Sequence, residues 1–111
     1  MVIAMNLYDR AQKSIRYLAE TDEPAAKARS LKDGLEDQKK TILATEFLKH
    51  QGSQGERAKL AEASEIYKQH LQKLEFAIYD YELYRNKRMT ESLVIEMWRS
   101  ENANRRNGNV V

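Results

Sequence analysis

The feature that most constrains this sequence is the stretch 55–102, in which neither proline nor glycine follows the opening Gly55. Nothing inside the stretch is typical of a helix end, so it predicts one continuous α-helix. At about 1.5 Å per residue, its roughly 48 residues form a rod of roughly 70 Å. A helix of that length in a small protein needs other helices to cover its apolar side.

Apolar side chains recur along this helix at heptad spacing. The repeating positions are Leu60, Tyr67, Leu74 and Tyr81, with Leu71 and Ile78 at the intermediate position. A seven-residue apolar repeat favours coiled-coil packing against a neighbouring helix. The basic run RNKR at 85–88 falls where this seam would continue, so we expect the packing to stop or shift there.

A second apolar line lies on the opposite side of the same helix. At about 100° per residue, Phe76, Leu83, Val94 and Met97 all lie nearly opposite the seam. A helix that is apolar on two sides must pack between two partners, of which one is the preceding helix and the other a second copy of the protein. The sequence therefore predicts a homo-oligomer. The predicted interface residues are Tyr67, Leu71, Leu74, Phe76, Ile78, Tyr81, Leu83, Met97 and Trp98.

The rest of the chain predicts two further helices and a tail. The first helix spans about 5–20, and the second runs from about 23 to 50, after the stretch TDEP, whose proline suits a first helical turn. The stretch QGSQG at 51–55 predicts a chain reversal. A flexible basic tail is expected at 103–111. We therefore predict a single all-α domain (1–111): a short N-terminal helix plus a long-helix hairpin that assembles into a homo-oligomer.

Composition narrows the class of protein. Charged residues make up 32% and aromatic residues 8% of the chain, and cysteine is absent. Without cysteine there is no disulfide and no thiolate metal site. No apolar run approaches the roughly 18 residues of a membrane span, and the opening MVIAM lacks the length and the basic leader of a signal peptide. We expect a cytoplasmic protein that does not contact a membrane.

The residues that carry catalysis in other proteins are not grouped here. His50 and His70 stand alone on different predicted helices, and no Glu-x-x-His motif of a di-iron bundle occurs. The stretch QGSQGER lacks the lysine followed by serine or threonine that completes a phosphate-binding loop. We expect no metal, no cofactor and no enzymatic activity, and we expect His70 to lie at the edge of the core.

The positive charge is concentrated towards the C-terminus. Residues 1–84 hold 13 basic and 14 acidic side chains, whereas residues 85–111 hold 6 basic and 3 acidic ones. This asymmetry fits a polyanion-binding surface, and it equally fits a solvated helix end. The candidate phosphate-binding residues are Lys39, Lys40, Lys49, Arg57, Arg85, Lys87, Arg88 and Arg99.

Two functional classes are therefore open. One is a single-stranded nucleic-acid binder that uses backbone electrostatics and aromatic stacking. The other is a helical protein–protein interaction module, such as a phage structural adaptor or inhibitor, that binds its partner through the face formed by Phe76, Leu83 and Met97. Binding to phosphates weakens steeply as salt rises, whereas hydrophobic assembly does not.

The stretch DQKKTILATEFLKHQGSQGER, followed by a long helix and a basic, aromatic end, resembles the UvsY family of tailed-phage recombination mediators. The resemblance covers about residues 25–100 and lies in the order of a helix with a Gln-Lys-Lys step, a glycine-containing loop and a long amphipathic helix. It implies a ring-like homo-oligomer that binds single-stranded DNA without being an enzyme. It also implies partners, namely a RecA-like recombinase and the single-strand-binding protein that the recombinase displaces.

The resemblance also implies where DNA would bind. The family's DNA contacts include basic residues just after the Gln-Lys-Lys step, which is Gln38, Lys39 and Lys40 in this sequence. Here Ala44 and Glu46 stand where basic residues are expected. A DNA site would therefore rest on Lys39, Lys40, Lys49 and the C-terminal arginines.

The C-terminal stretch EMWRSENANRRNG (96–108) has two interpretations. Trp98 gives the helix a bulky last apolar anchor, and the serine and asparagines that follow weaken helix propensity. The arginines then lie where the helix dipole favours cations, so helix termination alone explains the pattern. In the alternative, the same arginines form a flexible arm that contacts phosphate.

Overall fold

A computed structural model describes residues 5–108 of the chain and shows three α-helices. They are α1 (Leu7–Leu48, 42 residues), α2 (Gln54–Glu62, 9 residues) and α3 (Glu65–Gly108, 44 residues). The described part of the chain contains no β-strand, so the predicted all-α class is confirmed. Across residues 5–108, no helix combines the length and the apolar content that crossing a bilayer would need.

The chain divides into two compact units. Unit 1 comprises Met1–Ala25 and Leu83–Val111, and unit 2 comprises Ala26–Glu82. Each unit therefore contains one part of α1 and one part of α3, and unit 2 also contains α2.

In unit 1, α1 and α3 run antiparallel. Arg10 near the start of α1 binds Glu91, and Asp22, further along α1, binds Arg88, which precedes Glu91 on α3. Opposite progression along the two helices defines a hairpin-like pair. Here the partner of α3 is the part of α1 that was predicted as a short N-terminal helix; the predicted hairpin, between the helix at 23–50 and the third helix, is found in unit 2.

In unit 2, the same two helices are again antiparallel. The ammonium nitrogen of Lys32 lies 4.2 Å from the centre of the Tyr81 ring, and His70 Nε2 donates a hydrogen bond to the Leu35 carbonyl at 2.6 Å. Because a carbonyl only accepts hydrogen bonds, the His70 proton lies on Nε2. Ala61 of α2 is 1% exposed and belongs to the core of this unit.

The predicted break before Pro24 is absent. The helices expected at 5–20 and 23–50 are one continuous helix, α1, with Pro24 in its interior. A proline inside a helix removes one backbone hydrogen bond and costs about 3 kcal/mol, which is why the sequence favoured a break between two helices here, with Pro24 in the first turn of the second helix.

Hydrogen bonds around the turn before Pro24 explain why α1 continues. The Thr21 hydroxyl donates to the Tyr17 carbonyl at 2.7 Å, and Arg88 of α3 donates to the Leu18 carbonyl at 2.8 Å. These contacts hold the backbone of this turn in place against α3. The proline is thus accommodated by tertiary contacts that the local sequence does not reveal.

The predicted break in the middle of the chain is confirmed. Residues 49–53 separate α1 from α2, and Gly52 has a φ of 123°, a conformation that side-chain-bearing residues rarely adopt. The Ser53 side chain then accepts a hydrogen bond from the Glu56 backbone amide at 3.2 Å and caps α2.

The helix predicted over 55–102 is two helices, α2 and α3, separated at Ala63 and Ser64. The Ser64 hydroxyl donates to the Ala61 carbonyl at 2.7 Å and accepts from the Tyr67 amide at 3.3 Å. One side chain therefore binds the end of α2 and caps the start of α3, which a serine does better than most residues.

At its other end α3 extends further than predicted. The helix continues to Gly108, so residues 103–108 of the expected flexible tail are helical, while residues 109–111 lie outside the described part. Arg105 lies 3.6 Å from Glu101 one turn earlier, and cations in a last turn interact favourably with the helix dipole. Both effects oppose the low helix propensity of the asparagines.

Candidate interaction surfaces

The described chain buries few apolar side chains and exposes many. Its buried hydrophobic residues are Ala11, Ala61, Leu74 and Ala77, of which only Leu74 is large. Fifteen large hydrophobic side chains are exposed over the same residues. Such side chains indicate a binding surface only where they form a contiguous patch.

The predicted seam in unit 2 is partly correct. Leu74 is 5% exposed, and Tyr67 and Tyr81 are half-buried, so the face centred on Leu74 does pack. The other buried residues on this face are His70 and Ala77, which confirms the expected core-edge position of His70. Three members of the predicted set are instead exposed in this unit: Leu71, Phe76 and Ile78.

In unit 1, too, some of the predicted interface residues are exposed and others are partly buried. Leu83 is 42% and Met97 is 57% exposed, whereas Trp98 is half-buried. The Trp98 ring centre lies 5.9 Å from that of Tyr8 on α1, with the two ring planes at 58°. This tilted geometry is one that aromatic pairs favour, so Trp98 is an anchor between α1 and α3 within the chain.

The eight predicted phosphate-binding residues are divided equally between the two units. Four lie in unit 2 (Lys39, Lys40, Lys49 and Arg57), and four lie in unit 1 (Arg85, Lys87, Arg88 and Arg99).

Two of the predicted lysines in unit 2 have carboxylate partners within that unit. Lys39 lies 3.2 Å from Glu36 one turn earlier on α1, and Lys49, just beyond the end of α1, lies 2.7 Å from Glu46. Lys40 is exposed. The exposed pair of Lys39 and Glu36 contributes little to stability, so Lys39 can exchange its carboxylate for another anion. Lys49 is less readily released, because its partner Glu46 is only 6% exposed and would be left as a buried unpaired charge.

Arg57 is held more firmly than the lysines. Its guanidinium carbon lies 4.1 Å from the centre of the Phe47 ring, and its Nε donates to the Phe47 carbonyl at 3.3 Å. The carbonyl belongs to the last turn of α1, where backbone acceptors have no partner inside the helix. Arg57 therefore fastens α2 to the end of α1.

Arg88 is held in place by several hydrogen bonds within unit 1. Its guanidinium donates to the Leu18 carbonyl at 2.8 Å, to the Thr21 hydroxyl at 2.5 Å and to the Asp22 carboxylate at 2.5 Å. A guanidinium with three internal acceptors is occupied in holding α3 against α1. We therefore assign Arg88 a structural position in unit 1.

The other cations of unit 1 lie at the surface. Arg85 and Lys87 are exposed on α3, and Arg99 lies 3.3 Å from Glu96 in an exposed pair. Of the predicted residues in this unit, Arg85, Lys87 and Arg99 are thus the ones that face solvent.

Unit 1 contains a partly buried polar cluster that the sequence patterns did not predict. Arg10 donates to both carboxylate oxygens of Glu91, at 2.6 and 2.8 Å, and the Ser14 hydroxyl donates to Glu91 at 2.5 Å. These hydrogen bonds, from Arg10 first and Ser14 second, lower the pKa of Glu91 from 4.5 to about 2. The Glu91 carboxylate in turn raises the pKa of Arg10.

One signal in the sequence could have located this cluster. Leu7, Ala11, Ser14 and Leu18 recur at spacings of four and three, the spacing of a buried helix face, and Ser14 is 0% exposed. A buried serine hydroxyl needs a hydrogen-bond partner, which can be the carbonyl one turn earlier, here that of Arg10 at 3.1 Å, as well as a group on the facing helix. The pattern therefore indicates a polar position in the core without identifying Glu91.

A small cavity lies beside the pair formed by Tyr8 and Trp98. It has a volume of about 230 Å³, and its lining also includes Asn102, Glu101 and Arg105. It therefore combines aromatic rings, an amide and charges of both signs at one place in unit 1. Within residues 5–108, no group of three histidine, aspartate or glutamate side chains is arranged to hold a metal ion.

No protein-family model, curated protein or solved structure matches this chain.

Proposed function

We propose that this chain is a non-enzymatic helical assembly protein that associates with a second copy through an exposed face of α3. The observation that carries the proposal is a contrast within residues 5–108: fifteen large hydrophobic side chains are exposed, whereas the buried hydrophobic set is three alanines and one leucine. A pair of helices has too few facing positions to cover apolar residues on both sides of each helix, so a further layer is needed.

The proposed interface is a stripe on α3 in unit 1, formed by Met89, Leu93 and Met97. These side chains are 50%, 64% and 57% exposed. At spacings of four residues they form one line along the helix. The α3 residues that contact α1 in this unit, Glu91 and Trp98, lie on the opposite side. A second copy on the stripe would place α3 between two helices.

The stripe is complementary to itself. In an antiparallel pair of α3 helices related by a twofold axis at Leu93, Met89 of each copy lies opposite Met97 of the other. The same operation brings Arg85 opposite Glu101, a pairing of opposite charges. Isologous contacts of this kind are the commonest way in which identical chains form dimers. Flexible methionine side chains also pack well in irregular gaps.

The experiment is analytical ultracentrifugation of the wild-type chain and two variants over a concentration series. The chain mass is 13.0 kDa, so a dimer is readily distinguished. We expect the wild type to self-associate and Leu93→Glu to shift it to monomer, because a carboxylate on the axis would lie next to its counterpart. The matched control is Ser92→Glu, which adds the same charge at the neighbouring exposed position and should leave association unchanged.

Two results would count against this function. One is a wild-type chain that stays monomeric at every concentration, and the other is equal loss of association in both variants. Far-UV circular dichroism of each variant separates lost association from lost helix, since an intact α3 keeps the helical signal.

A second candidate is a single-stranded-DNA-binding accessory protein of phage recombination or replication, which acts in the cytoplasm of the bacterial host. The observation that favours it is the distribution of charge. Unit 1 holds nine basic and seven acidic side chains, whereas unit 2 holds ten of each, so the net charge of +2 lies entirely in unit 1. A recombinase or a single-strand-binding protein would be its protein partner.

The second candidate is tested by fluorescence anisotropy of a labelled oligothymidylate at two salt concentrations. Binding through phosphates should be tight at low salt and weaken steeply as salt rises. Replacing Arg85 and Lys87 with alanine should weaken binding without changing the oligomer. Arg88 is left intact in this variant, because its loss would disturb unit 1 itself. Absence of binding at both salt concentrations would exclude this function.

A further inference from the structure

The cavity beside Trp98 lies where α1 begins next to the last turns of α3. Its aromatic wall is the pair Tyr8 and Trp98, with ring centres 5.9 Å apart. Tyr8 is 54% exposed, so part of this wall is open to solvent. Aromatic rings at an open cavity give a planar base a surface on which to stack, whatever the identity of that base.

The same cavity offers groups that bind an anion. The Arg105 side chain is 77% exposed, and its pairing distance to Glu101 is 3.6 Å, which is long for a hydrogen-bonded pair. A doubly hydrogen-bonding phosphate is a stronger acceptor for a guanidinium than this distant carboxylate. Phosphate would therefore replace Glu101 as the partner of Arg105.

The start of α1 adds a second source of positive potential. Asn6 caps the helix, because its side-chain oxygen accepts from the Asp9 backbone amide at 2.8 Å. The amides of Leu7 and Tyr8, which precede Asp9, have no acceptor inside the helix. Both residues line the cavity, and the helix dipole favours an anion at this end.

We propose that this cavity binds one nucleotide of a single-stranded nucleic acid. The base stacks on Trp98, and its phosphate binds Arg105 and the first amides of α1. A volume of about 230 Å³ is smaller than that of pockets for drug-sized ligands, roughly 300–1,000 Å³, and limits the occupant to a single nucleotide. This inference rests on the second candidate function. It assigns that function a binding site whose lining contains none of the eight predicted cations.

Trp98 is the only tryptophan in the chain, so its fluorescence reports directly on this cavity. The experiment titrates the full chain at low salt with a twelve-residue oligothymidylate, an abasic strand of the same length and thymidine monophosphate. We expect saturable quenching by the oligothymidylate and little change with the abasic strand, which carries the phosphates without the bases. Anisotropy of the same labelled strands measures binding independently of Trp98.

The matched variants are Arg105→Ala and Arg106→Ala. Each removes one positive charge from neighbouring positions, but only Arg105 lines the cavity. The loss of a charge-assisted hydrogen bond should weaken strand binding about tenfold in Arg105→Ala, whereas Arg106→Ala should change it about twofold or less. Equal effects in the two variants would mean that binding depends on net charge alone, and the site would be rejected.

The remaining outcomes also decide the matter. Strand binding seen by anisotropy without quenching of Trp98 overturns the site but leaves the second candidate function standing. No binding by either measurement removes both. If thymidine monophosphate and the oligothymidylate each quench Trp98, the site is supported. If thymidine monophosphate quenches Trp98 and the oligothymidylate does not, the assignment to a strand is overturned and the free nucleotide is the ligand.

Discussion

The carboxylate of Glu91 on α3 is bound by both terminal nitrogens of Arg10 on α1, at 2.6 and 2.8 Å, although the two residues are 81 positions apart in the chain. The Glu91 side chain is only 18% exposed, so its charge depends on this partner. A bidentate ion pair of this kind fixes both the distance between the two helices and their relative direction. Sliding α1 by one turn would break it, so the pair sets the register of unit 1.

The first prediction concerns the removal of that charge. Glu91→Gln should destabilise the chain by about 2 kcal/mol, because the carboxylate that accepts from Arg10 and Ser14 becomes a neutral amide with a single acceptor oxygen. Urea unfolding followed by Trp98 fluorescence measures the change within unit 1. The control is Glu96→Gln, which removes an exposed carboxylate from the pair with Arg99 and should cost less than about 0.5 kcal/mol. Equal costs would show that the cluster around Arg10 is not stabilising.

The second prediction concerns pH. The pKa of Glu91 is lowered in the folded chain from 4.5 to about 2, mainly by its hydrogen bonds to Arg10 and Ser14. A carboxylate whose pKa is lower in the folded state stabilises fully above its unfolded pKa, and this contribution is lost as the pH falls towards the folded pKa. The free energy of unfolding should therefore drop between about pH 4.5 and 2.

The Glu91→Gln variant isolates this contribution, since every other carboxylate is unchanged. Urea unfolding of both proteins at a series of pH values should give a difference in unfolding free energy that is constant near neutral pH and shrinks below about pH 4.5. A difference that stays constant down to pH 2 would show that the pKa of Glu91 is not lowered in the folded chain.

The periodic part of this fold could be predicted from the sequence, and the specific contacts could not. The heptad spacing around Leu74 identified a packed face of α3, because apolar periodicity is a local property. It placed Leu71 and Ile78 on that face, whereas the buried residues are His70 and Ala77. The buried face of α3 is therefore rotated about the helix axis from the predicted face. Which face is buried depends on the side chains that the facing helix presents, and spacing within one helix carries no such information.

The helix boundaries that were predicted wrongly depend on side chains distant in the chain or on a single capping residue. Pro24 was expected to start a helix, yet Arg88, on another helix, holds the preceding turn. Ser64 divides a stretch that lacks both proline and glycine. The cavity beside Trp98 was missed because Tyr8 and Trp98 are 90 positions apart in the chain and meet only through antiparallel pairing. In each case the deciding contact is tertiary or depends on hydrogen-bond geometry.

The third prediction separates a structural arginine from its neighbour. Arg88→Ala should destabilise the chain by about 2 kcal/mol, because the Leu18 carbonyl, Thr21 and Asp22 all lose a donor. Lys87→Ala removes the same charge at an exposed position and should change stability by less than about 0.5 kcal/mol. Thermal unfolding followed by Trp98 fluorescence distinguishes them. Similar melting temperatures for the two variants would show that the bonds of Arg88 do not stabilise unit 1.

The last prediction uses two glycines with opposite roles. Gly34 lies inside α1, and a Cβ added there meets no atom within 4 Å. Because alanine loses less backbone entropy on entering a helix, Gly34→Ala should stabilise the chain by about 1 kcal/mol. Gly52 has a φ of 123°, which strains any residue that carries a side chain, whereas the Glu56 carboxylate oxygen that a Cβ would meet at 2.5 Å ends a flexible side chain and can move away. Gly52→Ala should therefore destabilise by about 1–3 kcal/mol.

Both glycine variants are measured by thermal denaturation with far-UV circular dichroism. For a chain of about this size, 1 kcal/mol corresponds to a shift of roughly 4 °C in Tm, upwards for Gly34→Ala and downwards for Gly52→Ala. The two substitutions add the same methyl group, so each serves as the control for the other. A lower Tm for Gly34→Ala would mean that this face of α1 is covered in solution, and a second copy packed there would be the first explanation to test by ultracentrifugation.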